Sequence, residues 1–175
     1  MVWLARHGET TWNLAGRYQG RLESALSGLG MQQGIALAQH FFERLSRGEL
    51  VPSRVVSSPL LRCAATARFT AQTLGLGVET DERLIEIAHG TWEGRYRDEL
   101  AANDPERYRA WREDPAHVAF EGGETLVEVL QRWRSFAPIF PCAANRHSSS
   151  PTTPSSAARS PIWKVAPSTP SGTSA

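Results

Sequence analysis

The sequence predicts an α/β fold, a three-layer sandwich with a mainly parallel central sheet flanked by helices, and an irregular C-terminal part. Short apolar runs alternate with longer segments whose apolar residues recur at helical spacing, as in strand–helix units around a parallel sheet. The composition changes after residue 136, because seven of the chain's 11 prolines and no Asp or Glu lie beyond it. We therefore expect a globular domain over residues 1–136, incomplete at its C-terminal end, and a disordered Ser/Pro/Thr/Ala-rich tail over residues 137–175.

The first half of the domain supplies two predicted strands and a long helix. Residues 2–5 are wholly apolar, which is typical of a parallel strand covered on both faces. A polar loop follows to about residue 27. A helix is predicted over residues 29–46, and a second strand over residues 54–57. The apolar face of that helix carries Ile35, Ala38, Phe41, Phe42 and Leu45.

The second half begins with a helix that Ser58 and Pro59 predict, with Ser58 as the N-cap and Pro59 at the first helical position. Residues 77–80 predict a third strand. Further helices are predicted over residues 97–102, 105–113 and 124–136. The helix after Pro59 has mostly small apolar side chains, which allow close packing on the sheet: Leu60, Ala64, Ala67, Ala71 and Leu74.

The bulk properties of the chain exclude several classes of function. A net charge of +1 indicates neither a nucleic-acid partner nor a membrane surface. No apolar run approaches the roughly 20 residues of a membrane span. Cys63 and Cys142 match neither a disulfide framework nor a CxxC metal motif, which favours a reducing compartment. We expect a cytoplasmic protein.

The ends of the first two predicted strands carry residues that suit an anion. Ligands of such sheets bind beyond the carboxyl ends of the strands. Arg6 and His7 follow the first strand, while Ser58 and Arg62 follow the second at a helix N-terminus. Guanidinium groups and a helix N-terminus bind phosphate. A neutral histidine between them can attack phosphorus, and the flanking cations are expected to lower the pKa of His7.

Five blocks in order give the chain a family resemblance. They are LARHGETTWN (4–13), YQG (18–20) with LSGLGMQQ (26–33), SSPLLRCAATA (57–67), RLIEIAHGTWEG (83–94) and GGETL (122–126). In these blocks the chain resembles the histidine phosphatase superfamily, the phosphoglycerate mutase-like proteins. The resemblance covers residues 1 to about 136 and implies a phosphoglycerate mutase-like fold.

The resemblance implies a role for each matching residue. His7 would be the nucleophile that becomes phosphohistidine, and Glu86 the general acid and then the general base. The neighbours of Glu86 are weakly charged, so we expect it to be buried. The phosphate would be bound by five residues: Arg6, Asn13, Gln19, Gly20 and Arg62.

The implied activity is that of a metal-independent phosphomonoester hydrolase that acts on a small phosphorylated metabolite and needs no cofactor. The short segment between Glu86 and Glu124 favours a phosphatase over a mutase, with a lean towards ribazole-type or sugar phosphates. Two alternatives stay open. The first alternative is a catalytically impaired member that binds phosphate. The second is a phosphoglycerate mutase-like phosphotransferase.

The family pattern breaks after residue 136. The resemblance implies a further strand that ends in a second catalytic histidine, and His147 is the candidate. Pro138 and Pro141 stand where a central strand would need its N–H groups, so we do not assign His147 that role and expect low activity. The change in composition is compatible with a frameshifted or replaced C-terminus.

The other three histidines lack metal-ligand spacing. We interpret His89 as pocket lining or surface. His40 and His117 are interpreted as structural or solvated.

Overall fold

The protein is described here from a computed structural model, which covers residues 2–49 and 52–137. The predicted α/β fold with a parallel sheet is confirmed. The tail beyond Ala137, with Cys142 and His147, lies outside the described residues, so the predictions for it stay predictions. The elements in chain order are α1 (Thr11–Leu14), α2 (Gly28–Ser46), β1 (Val55–Ser57), α3 (Leu61–Leu74), β2 (Val78–Thr80), α4 (Arg97–Asn103), α5 (Pro105–Glu113) and α6 (Leu126–Phe136).

The parallel sheet is formed by β1 and β2. Val55 pairs with Val78 and Ser57 pairs with Thr80. Helix α3 connects the two strands and packs against both of them, as in a strand–helix–strand unit. The second and third predicted strands are therefore confirmed, and both end at the edge of the sheet from which α3 starts.

The first predicted strand is wrong for the described part of the chain. Residues 2–9 have no regular secondary structure, and the side chains of Val2 and Leu4 are 54% and 75% exposed. An apolar extended run becomes a strand only beside a hydrogen-bonded neighbour. None of the residues in 2–49 and 52–137 pairs with residues 2–5 as a strand.

Helix α2 packs on α3 through small residues. Its N-cap is Ser27, whose hydroxyl accepts a hydrogen bond from Gly30 N at 3.0 Å. Gly34 faces the ring of Phe69, because a Cβ atom there would lie 2.5 Å from Phe69 Cδ2. This packing buries the face of α2 that carries Gly30 and Gly34. The predicted apolar face is therefore correct at two positions and wrong at two others. Ala38 and Phe41 are buried, whereas Ile35 and Phe42 are 46% and 52% exposed.

Helix α3 begins two residues later than Pro59 predicts. Its N-cap is Leu60, which makes no side-chain hydrogen bond to the helix. The backbone N–H of Leu61 instead donates to the Glu23 carboxylate, with both oxygens at 3.1 Å. The proposed helix N-terminal anion site is therefore already faced by a carboxylate of this chain.

The remaining helices agree with their predicted positions. Helix α5 has the predicted bounds, with Pro105 in its first turn and Asp104 as its N-cap. Helix α6 begins at Leu126 because Thr125 and Glu128 form a capping box at its N-terminus. No helix in the described part of the chain is long and apolar enough to cross a membrane.

A core of aromatic and aliphatic side chains, called the aromatic core below, lies beside the segment that carries Glu86. Its buried members are Ile87, Trp92, Leu100, Val118 and Phe120. The rings of Trp92 and Phe120 meet edge to face, with centroids 5.1 Å apart. This core anchors the segment through its two buried residues Ile87 and Trp92.

Candidate active site

The backbone that directly follows His7 is held in place by α3 and by the N-terminal end of α2. Gly8 N donates to Thr66 Oγ1 at 3.0 Å, and Glu9 O accepts from Ser27 N at 2.9 Å. Gly8 and Gly30 approach so closely that a Cβ on either would collide with backbone. Glycine at both positions therefore lets α2 approach the backbone next to His7 and fix its place without a strand.

A single hydrogen bond sets the tautomer of the His7 ring. His7 Nδ1 lies 2.7 Å from the carbonyl oxygen of Gly8. A carbonyl oxygen can only accept, so Nδ1 carries the proton. In the neutral ring Nε2 then has the free lone pair that a nucleophile needs.

The pKa of His7 lies below the ordinary value for histidine. Burial of the ring is the largest cause, and the charges of Arg62 and Arg6 also lower the pKa. The hydrogen bond to Gly8 and the charge of Glu86 oppose the shift. The predicted direction is confirmed, although burial contributes more than the cations do. Arg6, Arg62 and Glu86 are therefore close enough to His7 for their charges to act on its pKa.

Arg62 is the most buried cation near His7, with 1% of the residue exposed. Its Nη1 donates to Leu22 O at 2.9 Å and its Nη2 to Gly20 O at 2.7 Å. Its Nε has no hydrogen-bond partner among the described residues. Arg62 thus holds the 20–22 loop in place and keeps a buried donor for an anion.

Asn13 and Gln19 meet at Thr10. Asn13 Oδ1 accepts hydrogen bonds from Thr10 N and Thr10 Oγ1, both at 3.1 Å. Gln19 Oε1 accepts from Thr10 Oγ1 at 2.8 Å and also from Ser24 Oγ. The carbonyl oxygens of both side chains are thus occupied within this cluster, and only the NH₂ groups could donate to a ligand. The sequence pattern did not single out Thr10, which is fully buried.

Glu86 is exposed, so its predicted burial is wrong. The apolar neighbour Ile87 points into the core, which turns Glu86 outwards. Glu86 Oε1 accepts a hydrogen bond from Ile87 N at 3.0 Å, and the Glu86 carbonyl accepts from Arg21 Nε at 3.4 Å. The carboxylate therefore stands at the surface rather than in an apolar pocket.

The described residues include no cluster of three or more His, Cys, Asp and Glu side chains that would hold a metal ion. His40 is exposed and accepts a hydrogen bond from Arg44 Nε at 3.2 Å. His117 is exposed and lies 2.8 Å from Asp114 Oδ2. These positions agree with the structural or solvated interpretation of both histidines.

His89 is 7% exposed, so the surface alternative for it is wrong. Its ring meets the rings of Tyr18, Trp111 and Phe120 edge to face, with centroids 4.8 to 5.3 Å apart. Neither ring nitrogen has a hydrogen-bond partner among the described residues. Burial lowers the pKa of His89, and the charges of Glu86 and Glu93 oppose that shift.

Replacing His89 with Phe is expected to stabilise the protein, since it keeps the aromatic packing and removes two unpaired buried nitrogens. An unpaired buried polar group costs about 1–3 kcal/mol, so we expect the melting temperature to rise by roughly 2–8 °C. Because the folded-state pKa of His89 is lowered, its contribution to stability is complete above the unfolded value and is lost as the pH falls. His89→Phe should therefore weaken acid destabilisation below about pH 6.5. An equal gain from His117→Phe, at an exposed site, would contradict this.

Replacing Arg6 with Gln is expected to move the acid limb of activity to higher pH. As the nucleophile that the sequence predicts, His7 would attack only in its neutral form, so kcat/KM would fall as the pH drops through the His7 pKa. Loss of the Arg6 charge removes one cause that lowers this pKa. The midpoint should lie below about pH 6.5 in the unaltered protein and rise in the variant. Arg54→Gln, which breaks an exposed ion pair with Glu79, is the control. An unmoved midpoint in Arg6→Gln would show that Arg6 does not act on His7.

The chain belongs to the histidine phosphatase superfamily, since the family model for branch 1 of that superfamily matches residues 2–147. The match includes Arg6, His7, Arg62 and Glu86. It ends at His147, outside the described residues.

Several of the named relatives are phosphatases. Phosphoserine phosphatase 1 of Hydrogenobacter thermophilus is 43% identical over 133 residues, which are 76% of this chain and 60% of that protein. Glucosyl-3-phosphoglycerate phosphatase of Mycobacterium tuberculosis is 39% identical over 131 residues, which are 75% of this chain and 56% of that protein. The solved structure of mycobacterial glucosyl-3-phosphoglycerate phosphatase with VO3 has a TM-score of 0.69 at 37% identity, over 76% of this chain and 60% of that one. The chain thus spans less than two thirds of the length of these proteins.

Proposed function

We propose that this chain is a metal-independent phosphomonoester hydrolase that acts on a small phosphorylated metabolite through a phosphohistidine at His7. The observation that carries the proposal is the hydrogen bond from His7 Nδ1 to Gly8 O, which leaves the lone pair on Nε2 of a ring whose pKa the charge of the buried Arg62 helps to lower. The phosphatase names of the relatives support it. The cytoplasm is the proposed location, on the evidence of the cysteines.

In the first step His7 Nε2 attacks phosphorus and the bond from phosphorus to the ester oxygen breaks. Glu86, in its protonated form, gives its proton to the leaving oxygen, so that an alcohol departs instead of an alkoxide. Arg6 and Arg62 neutralise the phosphoryl oxygens, and the NH₂ groups of Asn13 and Gln19 and the N–H of Gly20 add hydrogen bonds. The charge stabilisation that phosphoryl transfer requires therefore comes from side chains and backbone.

In the second step water attacks the phosphohistidine. Glu86, now a carboxylate, takes a proton from the water as its oxygen bonds to phosphorus. The bond from phosphorus to His7 Nε2 breaks, which regenerates neutral His7 and releases inorganic phosphate. One carboxyl group thus serves as the acid in the first step and the base in the second, and its exposed position allows water to reach it.

The second candidate function is phosphate binding without turnover, and one observation favours it. Glu86 is exposed and its Oε1 already accepts from the neighbouring backbone N–H instead of pointing into an enclosed pocket. A chain of this kind would bind inorganic phosphate and release no alcohol. A phosphotransferase would instead move the phosphoryl group to a second hydroxyl.

The test is phosphate release from L-phosphoserine, a sugar phosphate and p-nitrophenyl phosphate in the presence of a chelator. We expect release from at least one of the two metabolite-type esters, unchanged by the chelator and absent in His7→Ala. Phosphate binding without release would favour the second candidate function. Activity that disappears with the chelator would contradict metal independence.

A further inference from the structure

One carboxylate joins the two segments that would carry the phosphate site and the general acid. Glu93 Oε1 accepts a hydrogen bond from Arg21 N at 3.0 Å and another from His89 N at 2.9 Å. Arg21 directly follows Gly20, whereas His89 lies three residues after Glu86. The two donors are backbone N–H groups that lie 68 positions apart in the chain.

The Glu93 side chain also packs on Gly20 itself. Gly20 has a φ angle of +51°, and a Cβ atom there would collide with the Glu93 carboxylate. The Gly20 carbonyl accepts from Arg62 Nη2 at 2.7 Å, and Arg62 acts on the pKa of His7. A continuous chain of contacts thus runs from Glu93 through Gly20 to Arg62, whose charge acts on the pKa of His7.

The other end of this connection is rigid. Glu93 follows the 3₁₀ turn Gly90–Trp92, and its own N–H donates to Gly90 O at 3.0 Å. Trp92, directly before it, is 3% exposed in the aromatic core. The carboxylate is therefore presented from a fixed point, and the loop at Gly20 is held against it.

A second carboxylate supports the same loop from outside. Glu124 forms an ion pair with Arg21 at 2.7 Å and accepts from Ala88 N at 3.2 Å. Arg21 is 40% exposed, so solvent screens this pair more than it screens the contacts of Glu93. Of the two, Glu93 makes the tighter connection to Gly20.

We propose that Glu93 is a positioning residue that sets the distance between the phosphate-binding loop at Gly20 and Arg62 and the segment that carries Glu86. It acts as a hydrogen-bond acceptor and needs no proton transfer of its own. The expected effect of Glu93 on kcat/KM rests on the proposed function. The expected effect on phosphate binding does not.

Three variants separate the acceptor role from the charge. Glu93→Gln keeps an acceptor oxygen at the same reach, so it should change kcat/KM by no more than about fivefold, the loss of charge assistance to two hydrogen bonds. Glu93→Asp keeps the charge but is one methylene too short to reach both N–H groups. Glu93→Ala leaves both donors unpaired and should lower kcat/KM by about 10²-fold, the effect of a misplacement of about 1 Å.

The experiment measures binding of inorganic phosphate by calorimetry and hydrolysis of p-nitrophenyl and alkyl phosphates, with circular dichroism to confirm folding. The control is Glu99→Ala, which removes an exposed carboxylate of α4 that pairs with Arg95. We expect Glu93→Ala to weaken phosphate binding by about tenfold or more and to slow both esters equally, with recovery in Glu93→Gln and a value between them in Glu93→Asp. Should Glu93→Ala not fold, Glu93→Asp and Glu93→Gln decide the order.

Two results would overturn the inference. A Glu93→Gln variant as impaired as Glu93→Ala would mean that an acceptor oxygen alone does not hold the loop and that the negative charge matters. Phosphate binding unchanged in Glu93→Asp and Glu93→Ala would mean that Glu93 does not hold the loop. If the unaltered protein binds phosphate but hydrolyses neither ester, the proposed function fails, while the order of phosphate affinities still tests Glu93.

Discussion

Replacing His7 with Ala is expected to abolish phosphomonoester hydrolysis, with kcat/KM lowered by at least about 10⁴-fold, the range seen when a covalent nucleophile is removed. The reason is that Nε2 of the His7 ring is the atom that would form the bond to phosphorus. The fold should be retained, since His7 is only partly buried and, within residues 2–49 and 52–137, its ring makes one hydrogen bond, to the neighbouring Gly8 O. Initial rates of phosphate release and a melting curve provide the measurement.

The control for His7→Ala is His117→Ala, which removes an imidazole at an exposed position next to Asp114. We expect the control to keep the activity of the unaltered protein. Residual turnover in His7→Ala above about one hundredth of that activity would mean that another group is the nucleophile or that water attacks directly.

Replacing Glu86 with Gln is expected to slow the hydrolysis of alkyl phosphates by about 10²–10⁴-fold, the usual contribution of a positioned general acid. Hydrolysis of p-nitrophenyl phosphate should lose far less in the first step, because its leaving oxygen needs little protonation. Single-turnover rates of alcohol and nitrophenol release separate this step from the attack of water.

Glu82→Gln is the matched control for Glu86→Gln, since Glu82 is an exposed carboxylate four residues earlier. Equal losses on both esters in Glu86→Gln would contradict the role of Glu86 as the acid. Such equal losses are instead the result expected of Glu93→Ala. The two carboxylates are therefore distinguished by how their effects depend on the leaving group.

Local patterns in the sequence predicted most of the helices and the grouping of the site. Helix α5 has its predicted bounds because Asp104 and Pro105 are strong start signals in the local sequence. Arg6, Arg62 and Glu86 were expected around His7, and all three act on its pKa. The start of α5 is encoded within one turn of the chain, and each of the three charged residues lies within its own sequence motif.

The features that the sequence did not predict depend on partners far away in the chain. Residues 2–5 form a strand only if another segment pairs with them, and their apolar character cannot supply that neighbour. The cap of α3 comes from Glu23, 38 positions before Leu61. In the sequence, Glu93 is marked only by its position between Trp92 and Gly94 in a matching block. Its proposed role follows from the backbone N–H groups of Arg21 and His89, which only the fold brings together.

The measurement that tests the central claim most directly is the site of phosphorylation during turnover. The protein is mixed with p-nitrophenyl phosphate, quenched in base, and digested for peptide mass spectrometry. We predict one acid-labile, base-stable phosphoryl group on the peptide that contains His7, and none in His7→Ala. A phosphoryl group on another residue, or one that persists in His7→Ala, would contradict the assignment of His7 as the nucleophile.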